Sequence, residues 1–157
     1  MSPSIEMVET DSINIQSLKM LFTECKWDWI EPDLEMLQAF KNSFRLFQAK
    51  IDGQVVGFGR VISDGKVYGL LVDVMVSPSL RGNGIGKLLI DDIVEQCRKD
   101  GFKVIQLLSS RLGKNLYLKS GFTQCPEASP GMIKFLAGDL TTAIHSHKKL
   151  RPRAGPI

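Results

Sequence analysis

One stretch limits what this chain can fold into more than any other: residues 74–87, Val-Met-Val-Ser-Pro-Ser-Leu-Arg-Gly-Asn-Gly-Ile-Gly-Lys. An apolar, β-branched run ends at Pro78, which cannot continue a central strand. Three glycines follow at alternate positions, and from Ile85 onward the apolar residues recur at helical spacing. The stretch therefore predicts a strand, a glycine turn and a helix. The free amides that begin a helix, next to glycines that let a ligand approach the backbone, favour binding of phosphate or pyrophosphate.

Two common phosphate-binding patterns do not fit this turn. The dinucleotide fingerprint G-x-G-x-x-G needs glycine where Lys87 stands. The Walker pattern needs glycine at position 81 and Ser or Thr at position 88, where the chain has Arg81 and Leu88. The pattern [RQ]-x-x-G-x-[GA] does fit, with Arg81, Gly84 and Gly86 in place.

With this pattern the chain resembles the GNAT superfamily of acetyl-CoA-dependent N-acetyltransferases, in which the loop holds the pyrophosphate of coenzyme A. Two more stretches are similar to that family, in the same order along the chain. Residues 73–78 read Asp-Val-Met-Val-Ser-Pro before the loop, and residues 116–122 read Leu-Tyr-Leu-Lys-Ser-Gly-Phe after it. The resemblance implies that the cofactor acetyl-CoA contacts Val74, Met75, Val76, Arg81, Gly82, Asn83, Gly84, Ile85, Gly86, Lys87, Ser110, Asn115, Tyr117 and Lys119.

Tyr117 matches the family tyrosine that faces the leaving thiolate, so the resemblance implies that it is the general acid. A phenol has an ordinary pKa of about 10, close enough to that of a thiol for this role. The alternative is a tyrosine that only packs at the edge of the cofactor. Ser110 departs from the pattern, because many family members carry asparagine there to hold the pantetheine arm.

Asp73 interrupts an apolar run in the strand that we expect at the centre of the sheet. A buried carboxylate without a partner is costly, so we expect it to be paired, to face a ligand or to have a raised pKa. Asp73 is therefore a candidate catalytic base or substrate anchor, in a position similar to that of an aspartate in aralkylamine acetyltransferases. The alternative is a carboxylate tied to neighbouring backbone.

Trp27 and Trp29 lie between the first two predicted helices, a region that covers the acceptor site in related folds. Aromatic rings there favour stacking on an amine or holding its cation. The alternative is that they close the core. Cys25, Cys97 and Cys125 are widely spaced, so we expect no disulfide and no metal site, and instead three buried thiols.

The order of predicted elements from Ile5 to about Leu136 is β-α-α-β-β-β-α-β-α-β-β, which matches the GNAT arrangement. We therefore expect an α/β (α+β) GNAT fold with a mixed, mostly antiparallel sheet of six to seven strands and helices on both faces. The last two strands are predicted to begin at Phe122 and to span Met132 to Leu136. The resemblance implies that strands four and five splay apart. Residues 1–140 are predicted to form one domain and residues 141–157 a basic, flexible tail.

The net charge of +3 comes from the C-terminal segment. Residues 145–157 carry four lysines and arginines and no acid, so the rest of the chain is close to neutral and nothing predicts a nucleic-acid partner. Both histidines also lie in this segment, which argues against a histidine base in the folded part. No apolar run approaches a membrane span and the N-terminus lacks a signal sequence, so we expect a cytoplasmic protein without a membrane partner.

The sequence therefore predicts an N-acetyltransferase that moves the acetyl group of acetyl-CoA to a primary amine, a small molecule, by direct attack in a ternary complex. The alternatives are a protein or peptide N-acetyltransferase, and a non-catalytic acyl-CoA-binding or partner-binding module. The family often forms homodimers, so a homodimer is an open expectation.

Overall fold

The computed structural model describes residues 2–27, 29 and 31–132. The strands are β1 (Ser4–Val8), β2 (Arg45–Ile51), β3 (Gln54–Ser63), β4 (Tyr68–Val76) and β5 (Val104–Gln106). The helices are α1 (Ile15–Glu24), α2 (Asp33–Lys41), α3 (Ile85–Lys99) and α4 (Lys114–Lys119). A 3-10 turn, Pro78–Leu80, joins β4 to the glycine loop.

The five strands form one sheet in the order β1-β2-β3-β4-β5. The first four are antiparallel to their neighbours, and β5 pairs with β4 in parallel. The predicted mixed, mostly antiparallel sheet is thus confirmed. This connectivity leaves β4 at the boundary between the antiparallel and the parallel part.

The prediction of six to seven strands was wrong, because the described part of the chain contains five. No strand begins at Phe122. The amide of Phe122 instead donates to the carbonyl of Tyr117 at 3.0 Å, and the amide of Gly121 donates to the carbonyl of Leu118 at 3.1 Å. The rings of Phe122 and Tyr117 meet edge to face. These two hydrogen bonds form a Schellman motif that ends α4. The last predicted strand, Met132 to Leu136, lies beyond the described residues except for its first residue.

Helices cover both faces of the sheet, as predicted. Helices α1 and α2 pack on one face, over Leu46 of β2, Phe58 of β3 and Met75 of β4. Helices α3 and α4 pack on the other face, over Phe47, Val61, Leu71 and Val74. The alternation of side chains along a strand accounts for this division, since Leu46 and Phe47 are neighbours in sequence and both are fully buried.

Candidate functional site

Strands β4 and β5 are paired only over the first three residues of β4. Their pairing runs from Tyr68 opposite Val104 to Leu70 opposite Gln106 and goes no further. Strand β4 continues to Val76, and over residues 71–76 the only strand paired with it in the described chain is β3. The predicted splay is therefore present. A strand edge without a neighbour presents backbone donors and acceptors to whatever enters the gap.

The glycine loop follows β4 directly and begins helix α3. Gly82 and Gly84 have φ of 82° and 81°, in the left-handed region that favours glycine, and Gly84 is the N-cap. The first amide of this segment to bond a backbone carbonyl is that of Leu88, to Gly84 at 3.0 Å. Among the described residues, no acceptor is bonded by any of the amides of residues 81–87.

The last four of these amides, those of residues 84–87, lie at the positive end of the dipole of α3, a 15-residue helix. A Cβ built on Gly82 or Gly84 would meet nothing within 4 Å, so the backbone faces open space at both positions. Donors without acceptors beside open space fit an anion, and several together fit a pyrophosphate. The chain thus folds locally as its glycine spacing predicts.

The charged side chains of the loop already have partners within the protein. Arg81 donates from Nε to the carbonyl of Val76 at 3.0 Å, and Lys87 pairs with Asp91 one turn along α3. Asn83 donates from its side-chain amide to the carbonyl of Leu80 at 3.1 Å. Arg81 also lies beside Cys25, whose thiol pKa is nevertheless raised, because desolvation outweighs the guanidinium.

Asp73 lies in a β-bulge of β4. Phe58 and Arg60 of β3 are two residues apart, but they pair with Met75 and Val72, so Asp73 and Val74 together oppose Gly59. Asp73 has φ of 54°, in the left-handed region. Its carboxylate accepts from Nε of Arg60 at 2.5 Å. Of the alternatives expected for Asp73, the structure shows a carboxylate paired with a cation.

Tyr117 lies on α4 and faces inward against α3. Its side chain is 8% exposed and packs in the cluster that holds Leu89, Ile90 and Ile93. Burial raises the pKa of Tyr117 to about 12. The phenol therefore keeps its proton at any physiological pH.

The other predicted contacts near Tyr117 lie at the surface of this region. Ser110 accepts from the amide of Gly113 at 3.0 Å and so stabilises the turn that begins α4. Asn115 and Lys119 are exposed on α4. Whether Ser110, Asn115 and Lys119 contact the cofactor stays a prediction.

Trp27 and Trp29 pack at the edge of the α1–α2 core. The rings of Trp29 and Phe22 meet edge to face with centroids 5.1 Å apart, and Phe40 lies 6.0 Å away. The indole of Trp29 donates to Asp33 at 3.0 Å. The ring of Trp27 meets Phe22 at 5.9 Å. Both rings thus close the core in this structure, and a role in binding the acceptor stays a prediction.

Cys25 and Cys97 are buried, as expected, whereas Cys125 is exposed and that part of the expectation was wrong. Cys125 falls in residues 123–132, which form neither helix nor strand, so no apolar face covers it. Burial raises the pKa of Cys97 to about 11, which makes it a poor nucleophile. Over the described ranges, no three side chains of His, Cys, Asp or Glu lie close enough to hold a metal ion. No helix in those ranges has the length and apolarity needed to cross a membrane.

Sequence reasoning missed Arg60, which pairs with Asp73 and also contacts α2. A signal was present: Arg60 and Asp73 are opposite charges in two otherwise apolar strands that follow one another in the chain. Their registry, however, depends on the bulge, and the sequence alone does not show that one residue of β4 is extra.

The sequence profile described as the acetyltransferase (GNAT) family matches residues 15–122. That range contains α1 to α4, the glycine loop, Asp73 and Tyr117. The chain belongs to the GNAT family. It is an acetyltransferase of that family, and family members use acetyl-CoA as acyl donor.

Relatives and solved structures agree with this GNAT assignment. An uncharacterized N-acetyltransferase, ycf52, from Pyropia yezoensis is 29% identical over 82% of this chain and 76% of its own. Serotonin N-acetyltransferase 2, chloroplastic, from Oryza sativa is 32% identical over 51% of this chain and 40% of its own. A predicted acetyltransferase from Clostridium acetobutylicum, solved with acetyl-CoA, shares the fold at a TM-score of 0.64, with 20% identity over 90% of this chain and 98% of its own.

Proposed function

We propose that this GNAT N-acetyltransferase binds acetyl-CoA at the glycine loop and transfers the acetyl group to a small primary amine, which attacks the thioester directly in a ternary complex. The observation that carries the proposal is the run of seven amides at residues 81–87 without acceptors, at the N-terminus of α3 and at the end of a splayed strand.

The residues present fit coenzyme A. Acetyl-CoA supplies an acyl group activated as a thioester. The amides of residues 81–87 suit its pyrophosphate. Arg81 and Lys87 add positive charge to the same loop, with Arg81 bonded to the carbonyl of Val76 and Lys87 paired with Asp91. The edge of β4 at Val74, Met75 and Val76 suits an amide-bearing arm that pairs like an added strand.

The backbone of β4 is also the proposed source of carbonyl polarisation. A backbone N–H in residues 74–76 would stabilise the oxyanion that forms when the amine attacks. One such donor is typically worth about 3 kcal/mol in acyl transfer. This assignment needs no side chain, only backbone N–H groups of a strand that β5 does not pair with over those residues; the carbonyl of Val76 already accepts from Arg81.

Tyr117 is the proposed general acid for the leaving sulfur. An acid must be protonated before it reacts, and the raised pKa of Tyr117, about 12, keeps the phenol neutral at the pH of a cell. The group is also held in place, because the ring packs on Phe122 with centroids 5.7 Å apart.

For the acceptor we propose an arylalkylamine as the first class to test. The support is the similarity to a serotonin N-acetyltransferase across half of the chain, together with two tryptophans beside α1 and α2. A peptide amine is the alternative substrate. Cytoplasmic location and a homodimer stay predictions.

Thiol release from acetyl-CoA tests the proposal, with tryptamine, spermidine, glucosamine and a tripeptide offered in turn. We expect release with at least one amine, and fastest with tryptamine. Tyr117→Phe should lower kcat about tenfold or more while calorimetry shows coenzyme A affinity within about threefold of wild type. Coenzyme A binding without release from any amine would favour the non-catalytic module. Parallel loss of kcat and affinity in Tyr117→Phe would overturn the acid assignment.

A further inference from the structure

A strained residue and an ion pair occupy the same point of β4. Asp73 has a left-handed φ of 54° in the interior of a strand, a conformation that residues with a Cβ seldom adopt, although asparagine and aspartate adopt it more often than others. It forms the bulge opposite Gly59, directly before the segment 74–76 that faces the gap. The direction of that segment therefore depends on the backbone conformation at Asp73.

Arg60 anchors this bulge to the rest of the fold. Its Nε donates to Asp73 at 2.5 Å, while Nη1 donates to the hydroxyl of Ser43 at 3.1 Å and to the carbonyl of Ala39 at 3.3 Å. The guanidinium also lies over the ring of Phe40, 5.4 Å from its centroid. One side chain thus joins β3, the bulge of β4 and the C-terminal end of α2.

The pair is shielded on most sides, since the side chains of Arg60 and Asp73 are 17% and 23% exposed. A charge-assisted bond to a planar, multi-donor guanidinium fixes both distance and orientation better than a lysine does. If Asp73 accepted a proton from an ammonium group, the charge of Arg60 would lose its partner in this partly buried position. The contacts therefore favour a holding role over proton transfer.

We propose that Arg60 is a positioning residue and that the Arg60–Asp73 pair holds the β4 bulge so that backbone donors of residues 74–76 face the thioester. Asp73 then serves through its backbone conformation and its ion pair, and it is not the base predicted from the sequence. This inference rests on the proposed function, since it concerns how the same site is aimed.

Glycine and alanine at position 73 separate the two roles. Both remove the carboxylate, but only glycine adopts a left-handed φ without strain. If the bulge conformation is what matters, Asp73→Gly retains about tenfold more kcat than Asp73→Ala, the factor expected from a left-handed alanine. If the carboxylate takes the proton, both variants lose kcat equally. Kinetics use the most active amine of the panel, and calorimetry measures coenzyme A affinity, which should stay within about threefold of wild type in both.

Variants of Arg60 form the second arm of the experiment, and they test the proposal even if Asp73→Ala does not fold. Arg60→Gln is expected to lower kcat about tenfold with coenzyme A affinity near that of wild type, and Arg60→Lys to fall between the two. The losses in Arg60→Gln and Asp73→Asn should not add in the double variant, because both break one pair.

Equal kcat in Asp73→Gly and Asp73→Ala, or wild-type kcat in Arg60→Gln, overturns the inference while leaving the proposed function intact. Wild-type protein that binds no coenzyme A and releases no thiol overturns both.

Discussion

Tyr117, the proposed general acid, has its pKa set by burial alone. It is 8% exposed, and desolvation is the cause of its raised pKa, about 12 against an ordinary value of 10. The folded protein therefore holds the phenolic proton more tightly than the unfolded chain does between those two values. The same preference for the protonated phenol lowers the stability of the fold as the pH rises into the alkaline range.

Stability should reveal this residue directly. The contribution of Tyr117 is complete below pH 10 and is lost as the pH rises toward 12, because the unfolded phenol ionises first. The free energy of unfolding of wild type relative to Tyr117→Phe should therefore fall by roughly 1 kcal/mol between about pH 9 and about pH 11. Urea unfolding at the two pH values measures it, with Tyr68→Phe as an exposed-tyrosine control. If the free energy of unfolding changed with pH equally in wild type and Tyr117→Phe, the raised pKa of Tyr117 would be refuted.

Lys26, just after α1, has a strained backbone conformation. Its φ is 57°, and the amides of Lys26 and Trp27 bond the carbonyls of Thr23 and Phe22 at 3.0 and 2.9 Å, which is a Schellman motif. Such motifs usually place glycine at this position. The lysine is tolerated because the cluster around Phe22 and Trp27 holds the chain there.

Replacing that lysine should stabilise the protein. We expect Lys26→Gly to raise the free energy of unfolding by about 1 kcal/mol, since glycine relieves the left-handed strain. Lys99→Gly, at the last residue of α3, is the matched control and should lower it by up to about 1 kcal/mol. Urea unfolding compares the two variants with wild type. A loss of stability in Lys26→Gly would show that the left-handed backbone at Lys26 is not strained.

At the scale of elements, the close approach of α3 to β3 decides where the site lies. A Cβ on Gly59 would come within 3.0 Å of Cδ1 of Ile93 and 3.6 Å of Cγ2 of Val74. Gly57 is confined as well, with the backbone oxygen of Met75 at 3.2 Å. These two glycines let α3 lie against the sheet beside the bulge, so that its N-terminus and β4 face the same space.

A double-variant cycle tests this packing. Gly59→Ala should cost about 1–2 kcal/mol of stability, as overpacking in a filled core does, and Ile93→Val about 1 kcal/mol. Together they should cost less than their sum, because valine lacks the Cδ1 that the new methyl meets. Gly57→Ala, whose methyl group would meet Cβ of Ala49 and the backbone oxygen of Met75, should gain nothing from Ile93→Val. Additive losses for Gly59→Ala and Ile93→Val would show that the contact is not what excludes the methyl group.

For the whole molecule, the elements with strong local patterns were predictable. The glycine loop that starts α3 follows from a few neighbouring residues. Phe122 was misread because a single apolar residue after glycine suits a strand start and a Schellman contact equally well. The partner of Asp73 depended on a one-residue register shift between two strands. Such long-range registry leaves no local trace.

The most direct measurement of the central claim is the affinity of the wild-type chain for coenzyme A, by titration calorimetry, compared with two glycine variants. Gly84→Ala and Gly53→Ala place the same methyl group at φ of 81° and 79° with nothing within 4 Å, but only Gly84 begins α3. We predict that wild type binds, that Gly84→Ala binds about tenfold or more weakly, and that Gly53→Ala stays within about twofold. No binding by folded wild type at about millimolar ligand, or equal weakening in both variants, would contradict the claim that the amides of residues 81–87 hold the cofactor.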